Sequence, residues 1–136
     1  MTQHILAKVL LQGTKNQVAG QALVDTGATF TVIDEELANY LGVEPVPKRE
    51  RERVKLVGLC CTVEGKLVNL KYMEIEGRPV GATSVIMVKL SKEIKEALKK
   101  LGARQDVIIG IADLSKTGHT IDLVQRKLKY VGIICV

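Results

Sequence analysis

Aromatic residues are nearly absent from this chain: 3% of 136 residues, with one Phe, three Tyr and no Trp. That disfavours a nucleic-acid surface built on base stacking. It also leaves any core to Val, Ile and Leu, a bias that favours strands. Cysteine is scarce too. Cys60, Cys61 and Cys135 are odd in number and lack metal-ligand spacing. Cys60 and Cys61 are neighbours, about 3.8 Å apart at Cα, whereas unstrained disulfides span about 4.4–6.8 Å. Reduced thiols are therefore expected. No apolar run approaches the ~20 residues of a membrane-spanning helix. Met1-Thr2-Gln3-His4 lacks the basic region and long apolar stretch of a signal peptide. The expectation is a cytoplasmic chain with no membrane partner. Repeats, linkers and low-complexity tracts are missing as well. Residues 1–136 thus read as a single domain, long enough for one core.

What is present is ordinary for a globular protein: 46% hydrophobic and 26% charged residues. The net charge is +5. Its strongest run, Lys48-Arg49-Glu50-Arg51-Glu52-Arg53 and then Lys55, mixes signs and contains no aromatics. A solvated face that biases the protein toward acidic partners fits better than a nucleic-acid site. His4 and His119 have no partner motif, which argues against triad chemistry.

The coarse pattern is mostly strand. Ile5 to Leu11 and Val18 to Val24 form a hairpin across Gly13-Thr14-Lys15-Asn16. Asp34 caps a short helix, Glu35 to Leu41, which Gly42 ends. Pro45 and Pro47 break the chain. Val54 to Val63 and Lys66 to Ile75 read as long strands joined near Glu64-Gly65, and Gly77-Arg78-Pro79 as another turn. Thr83 to Leu90 is a buried strand. Ser91 caps a helix with Ile94, Ala97, Leu98 and Leu101 on one face, stopped by Gly102. Val107 to Ile109 is a short strand and Ala112 to Thr117 a short helix. His119 to Val124 and Leu128 to Val136 close the chain as a hairpin. Asp34, Asp106, Asp113 and Asp122 read as caps or turn residues.

Between two apolar strands lies Asp25-Thr26-Gly27, preceded by Gln21-Ala22-Leu23-Val24 and followed by Ala28-Thr29-Phe30-Thr31-Val32-Ile33. A turn between strands is a rigid place to present one acid. Alone the tripeptide reads better as an Asx-type turn with no catalysis. In this frame it resembles the active-site loop of aspartic proteases. A single copy in a short chain is similar to the retroviral-type, retropepsin-like branch. Val107-Ile108-Ile109-Gly110 with Asp113-Leu114 resembles that family's late strand, glycine and helix, which cross behind the active-site loop. Lys55-Leu56-Val57-Gly58 resembles the rising arm of its flap hairpin, and Glu74 to Gly77 with Val80-Gly81 resembles the descent. Leu37-Ala38 and Leu41-Gly42 fit the segment after the active-site loop.

The chain also departs from that pattern. Leu59-Cys60-Cys61-Thr62 occupies a flap region that is glycine-rich in retroviral enzymes. Thr29 and Ile111 stand where those enzymes often carry an acid and an arginine, so any ion pair there is lost. The helix from Lys92 to Leu101 looks like an insertion.

The resemblance implies a mainly β protein with two or three short helices: a retropepsin-like closed β-barrel with a flap, acting as a homodimer. It implies an aspartic endopeptidase for polypeptide substrates, with no metal or cofactor. Asp25 is the catalytic residue, once per subunit. Thr26, Gly27, Ala28 and Gly110 support the active-site loop. Gly58, Leu59, Cys60 and Cys61 are the expected flap and substrate-binding residues. Two other classes stay open. One is a catalytically idle peptide-binding or assembly module on the same fold. The other is a phosphate-binding protein, because an Asp-Thr-Gly turn is similar to the first phosphate loop of actin-like kinases; 136 residues are too few for that superfamily's two larger domains.

Overall fold

A computed structural model describes residues 4–46, 52–55 and 62–132. Their elements, in chain order, are β1 (Ile5–Gln12), β2 (Gln17–Val24), β3 (Val32–Asp34), α1 (Glu35–Leu41), β4 (Glu52–Lys55), β5 (Thr62–Ile75), β6 (Arg78–Val88), α2 (Lys92–Lys100), β7 (Val107–Ile109), α3 (Ile111–Lys116), β8 (His119–Asp122) and β9 (Lys127–Tyr130). The described residues are mainly β with three short helices, as the strand-rich sequence implies.

Strand order in the main sheet is β1-β2-β7-β3-β6-β5-β4, and β1 also pairs with β5. That extra pairing, Val9↔Ile75 through Gln12↔Tyr72, closes six strands into a barrel and leaves β4 outside on β5. β8 and β9 form a separate two-stranded sheet. Among the described residues no helix is long and apolar enough to cross a membrane.

The central strands are buried on both faces, and successive side chains alternate between them. Ile33, Val85, Val107 and Ile109 enter one apolar cluster with Leu11, Leu41, Leu70 and Met73. Val32, Ile86 and Ile108 enter a second with Val54, Val88, Leu90, Ile94 and Leu98. This explains why β3, β6 and β7 read as nearly unbroken apolar runs. The helix α2, which looked like an insertion, covers the second cluster with Ile94 and Leu98. Asp34 ties this region together. It caps α1 through the Glu36 N–H (3.2 Å), accepts from the Leu90 N–H (3.0 Å) and lies 3.4 Å from Lys95 Nζ.

Three expectations are corrected. Glu64-Gly65 is not a strand junction: β5 runs unbroken through it, and Gly65 pairs with Glu52 of β4. The glycine is there because β6 lies close. A Cβ would collide with Ile86 Cγ2 and come within 2.9 Å of the Met87 carbonyl oxygen. Since Lys55 pairs with Thr62, the β4–β5 connection falls at residues 56–61. Leu59-Cys60-Cys61 and Gly58 therefore lie outside the described residues. Second, the later turn is Glu76-Gly77, with φ of 53° and 76°; Arg78 and Pro79 already belong to β6. Two left-handed residues suit a tight hairpin, and only the second is glycine. Third, Glu74 to Gly77 and Val80-Gly81 are not a descent from the flap. They occupy the opposite end of β5, at the turn into β6.

Candidate active site

The Asp25 loop leaves the end of β2 and returns into β3, and β7 runs between those two strands. Val24 pairs with Ile109 in parallel, and Val32 pairs with Ile108 antiparallel. The Asp25 N–H donates to the Ile109 carbonyl at 2.9 Å, extending the β2–β7 ladder by one residue. The loop then closes on itself: the Ala28 N–H donates to the Asp25 carbonyl at 3.1 Å.

Gly110 holds the loop from behind. A Cβ there would press into the Phe30 carbonyl group and come within 2.7 Å of the Thr29 oxygen. Only glycine allows that approach. Beyond it, α3 begins with no side-chain cap. The loop supplies the cap instead: the Ile111 N–H donates to the Ala28 carbonyl and the Ala112 N–H to the Thr29 carbonyl, each at 2.9 Å. Two orphan donors of the helix thus become anchors of the loop. These main-chain bonds sit at Thr29 and Ile111, where the sequence offers no ion pair.

Thr31 is a residue that the motif did not single out. It is 0% exposed, and its hydroxyl accepts from the Gly110 N–H at 3.1 Å. Its carbonyl accepts from the Ile86 N–H at 2.9 Å, joining the loop to β6. The sequence signal was a lone hydroxyl in the apolar run Phe30-Thr31-Val32-Ile33.

The Asp25 carboxyl is only 6% exposed. Oδ1 accepts from the Gly27 N–H at 2.9 Å, the bond an Asx turn makes. Among the described residues Oδ2 is buried and has no donor, alone in this among their buried side-chain nitrogen and oxygen atoms. Burial raises the Asp25 pKa above its ordinary 3.8, and the Gly27 N–H pulls against that rise. Thr26 and Gly27 are exposed beside it, and Ala28 is buried.

A pocket of about 250 Å³ opens next to the loop. Gly27, Ala28, Thr29 and Phe30 form one side; Arg53, Val54 and Lys55 of β4, with Ile86, form the other. Strand β4, from which the expected flap would rise, thus shares this pocket with the Asp25 loop. Phe30, 45% exposed, separates this pocket from a second one of about 450 Å³ that includes Asn69, Thr83, Asp113 and Lys116. There Thr83 Oγ1 donates to Asp113 Oδ1 at 2.7 Å, and Lys116 Nζ lies 3.5 Å from the same oxygen.

The remaining acids play structural parts. Asp106 receives Arg104 through two bonds of 2.8 Å, and Asp122 accepts from the Val124 and Gln125 N–H groups. Asp113 is more than a turn residue, being buried and bonded across the fold to Thr83. His119 contacts Thr117 and Tyr130, far in sequence from the Asp25 loop. Among the described residues no three His, Cys, Asp or Glu side chains gather as a metal site.

Thus Asp25, Thr26, Gly27, Ala28 and Gly110 come together as one unit, while Gly58, Leu59, Cys60 and Cys61 lie outside the described residues. A family described as aspartyl protease matches residues 11–112, from the end of β1 into α3, a stretch that contains both the Asp25 loop and Gly110. The chain belongs to this aspartyl protease family, of the retropepsin-like clan. No curated protein sequence matches it.

Proposed function

We propose that this chain is an aspartic endopeptidase whose active unit is a symmetric homodimer, with Asp25 of each copy at the twofold axis. The observation that carries this reading is Asp25 Oδ2: a buried carboxylate oxygen with no donor among the described residues. Leaving such an atom unpaired costs about 1–3 kcal/mol. A second Asp25 loop would supply the partner, and a twofold axis brings like to like. Thr26, exposed at the tip of the same loop, would brace the two copies.

One carboxylate cannot both activate water and protonate the leaving amide. Two close carboxylates can, because their like charges push the two ionisations apart and leave one proton shared. This is the arrangement of aspartic protease dyads. The ionised Asp25 takes a proton from the water as its oxygen attacks the scissile carbonyl carbon. The protonated Asp25 gives its proton to the carbonyl oxygen. Collapse of the resulting gem-diol breaks the C–N bond: the amide nitrogen leaves with a proton from one Asp25, and a gem-diol hydroxyl returns its proton to the other, which restores the shared proton. No step calls for a metal or cofactor. The substrate enters extended, as a strand between the loop and the flap that β4 begins.

The experiment is peptide cleavage by wild type and Asp25→Asn, beside sedimentation at micromolar concentration. Cleavage lost on substitution, from a dimer, supports the reading. A monomer that cleaves, or a variant that cleaves as well as wild type, overturns it. Peptide binding without cleavage would mark an idle module.

A further inference from the structure

We propose that Arg53 and Lys55 make the pocket beside the Asp25 loop a subsite for a carboxylate-bearing side chain. The substrates would then be polypeptides with Glu or Asp at the position this pocket receives. The proposal rests on the peptidase reading and adds a substrate class to it.

Strand alternation sets the pocket's character. Val54 points inward and packs with Ile86 and Val32 in the second apolar cluster. Arg53 and Lys55, on either side of it, are exposed and line the opening. Ala28, Val54 and Ile86 give an apolar floor, Phe30 an apolar wall, and the two cations the rim. Among the described residues no carboxylate lines the pocket. The cross-strand neighbour of Arg53 is Glu64, which moderates that charge, but Lys55 lies opposite the neutral Thr62. On the facing loop, positions 29 and 30 are Thr and Phe, so neither contributes a negative charge. A Glu side chain suits this arrangement: its methylenes lie on the floor and its carboxylate meets the rim. A Lys side chain would bring a third cation to a rim that already holds two.

The test uses peptides of otherwise constant sequence with Glu, Gln or Lys scanned through the positions flanking the scissile bond. Cleavage is measured on wild type and Lys55→Glu. Binding of the same peptides is measured by fluorescence anisotropy on wild type, Asp25→Asn and Lys55→Glu. At one position, wild type should prefer Glu over Lys by roughly tenfold and over Gln by a few-fold, the range of partly exposed charge pairs. Raising the salt should shrink that preference. Lys55→Glu should remove or invert it. Cleavage with no discrimination at any position would overturn the subsite and leave the peptidase intact. So would a preference that survives both Lys55→Glu and Arg53→Glu. Absent cleavage with charge-selective binding that inverts in Lys55→Glu would keep the subsite and overturn the peptidase. Absent cleavage with unselective or undetectable binding overturns both.

Discussion

The Gly110 N–H donates to the Thr31 hydroxyl at 3.1 Å, across 79 positions of sequence. One residue belongs to the Asp25 loop and the other to the strand end behind it. Both are buried, so the bond has no water to replace it. Thr31→Val keeps the shape of the side chain and removes the acceptor. It should destabilise the protein by about 1–3 kcal/mol, the cost of a buried donor left unpaired. It should also lower kcat more than it raises KM, because the loop that holds Asp25 loses an anchor. Urea unfolding checks the first part, and an unmoved midpoint would mean the Gly110 N–H has another partner.

Asp34 offers a test away from the cleft. Its carboxylate caps α1, accepts from Leu90 and faces Lys95 at the start of α2. Asp34→Ala strands the Leu90 N–H and removes the cap, and should cost about 2 kcal/mol or more. Asp34→Asn retains an acceptor and should cost less. Equal losses for the two would indicate that charge, through Lys95, matters more than hydrogen bonding.

Much of this fold was legible because its signals are local. Asp34, Ser91 and Gly42 cap or stop helices within a few residues of themselves, and each does so where the sequence places it. The Asp25 loop and Gly110 were readable as a pair only through the family resemblance. Gly65 shows where local reading fails. A glycine that makes room for a neighbouring strand carries the same letter as one that makes a turn, and Ile86 is 21 positions away. The Thr83–Asp113 and Thr31–Gly110 bonds were invisible for the same reason: nothing nearby in sequence announces a partner 30 or 79 positions off.

Asp25 should weaken the fold as pH rises. Burial holds its folded-state pKa above the ordinary 3.8, so the native chain keeps its proton more tightly than the unfolded chain. Between those two pKa values the native state binds more protons, and stability falls with increasing pH. The stabilising contribution is complete below the unfolded value and lost above the folded one. Asparagine has no such proton. Asp25→Asn should therefore gain stability relative to wild type as pH rises from below the ordinary 3.8 through the raised folded-state value. Thermal unfolding at matched protein concentration measures the gap. A gap that narrows as pH rises would show that Asp25 is stabilised as a carboxylate, contrary to its burial.

The last prediction places the same acid in its catalytic setting. Position 28 is a buried alanine one residue beyond Gly27, whose N–H is the donor to Asp25 Oδ1. Oδ2 has no donor among the described residues. A serine at 28 would bring a hydroxyl into this loop, and a hydroxyl that donates to a carboxylate favours its charged form. The pKa of the dyad should then fall. Cleavage needs one ionised carboxylate, so the acidic limb of the pH–rate profile should move to lower pH in Ala28→Ser. Wild type, lacking that donor, should lose activity at a less acidic pH and work closer to neutrality. The measurement is kcat/KM against pH for both proteins with one peptide. An acidic limb that stays put or moves upward would show that the hydroxyl does not reach Asp25, or that it binds the protonated form instead.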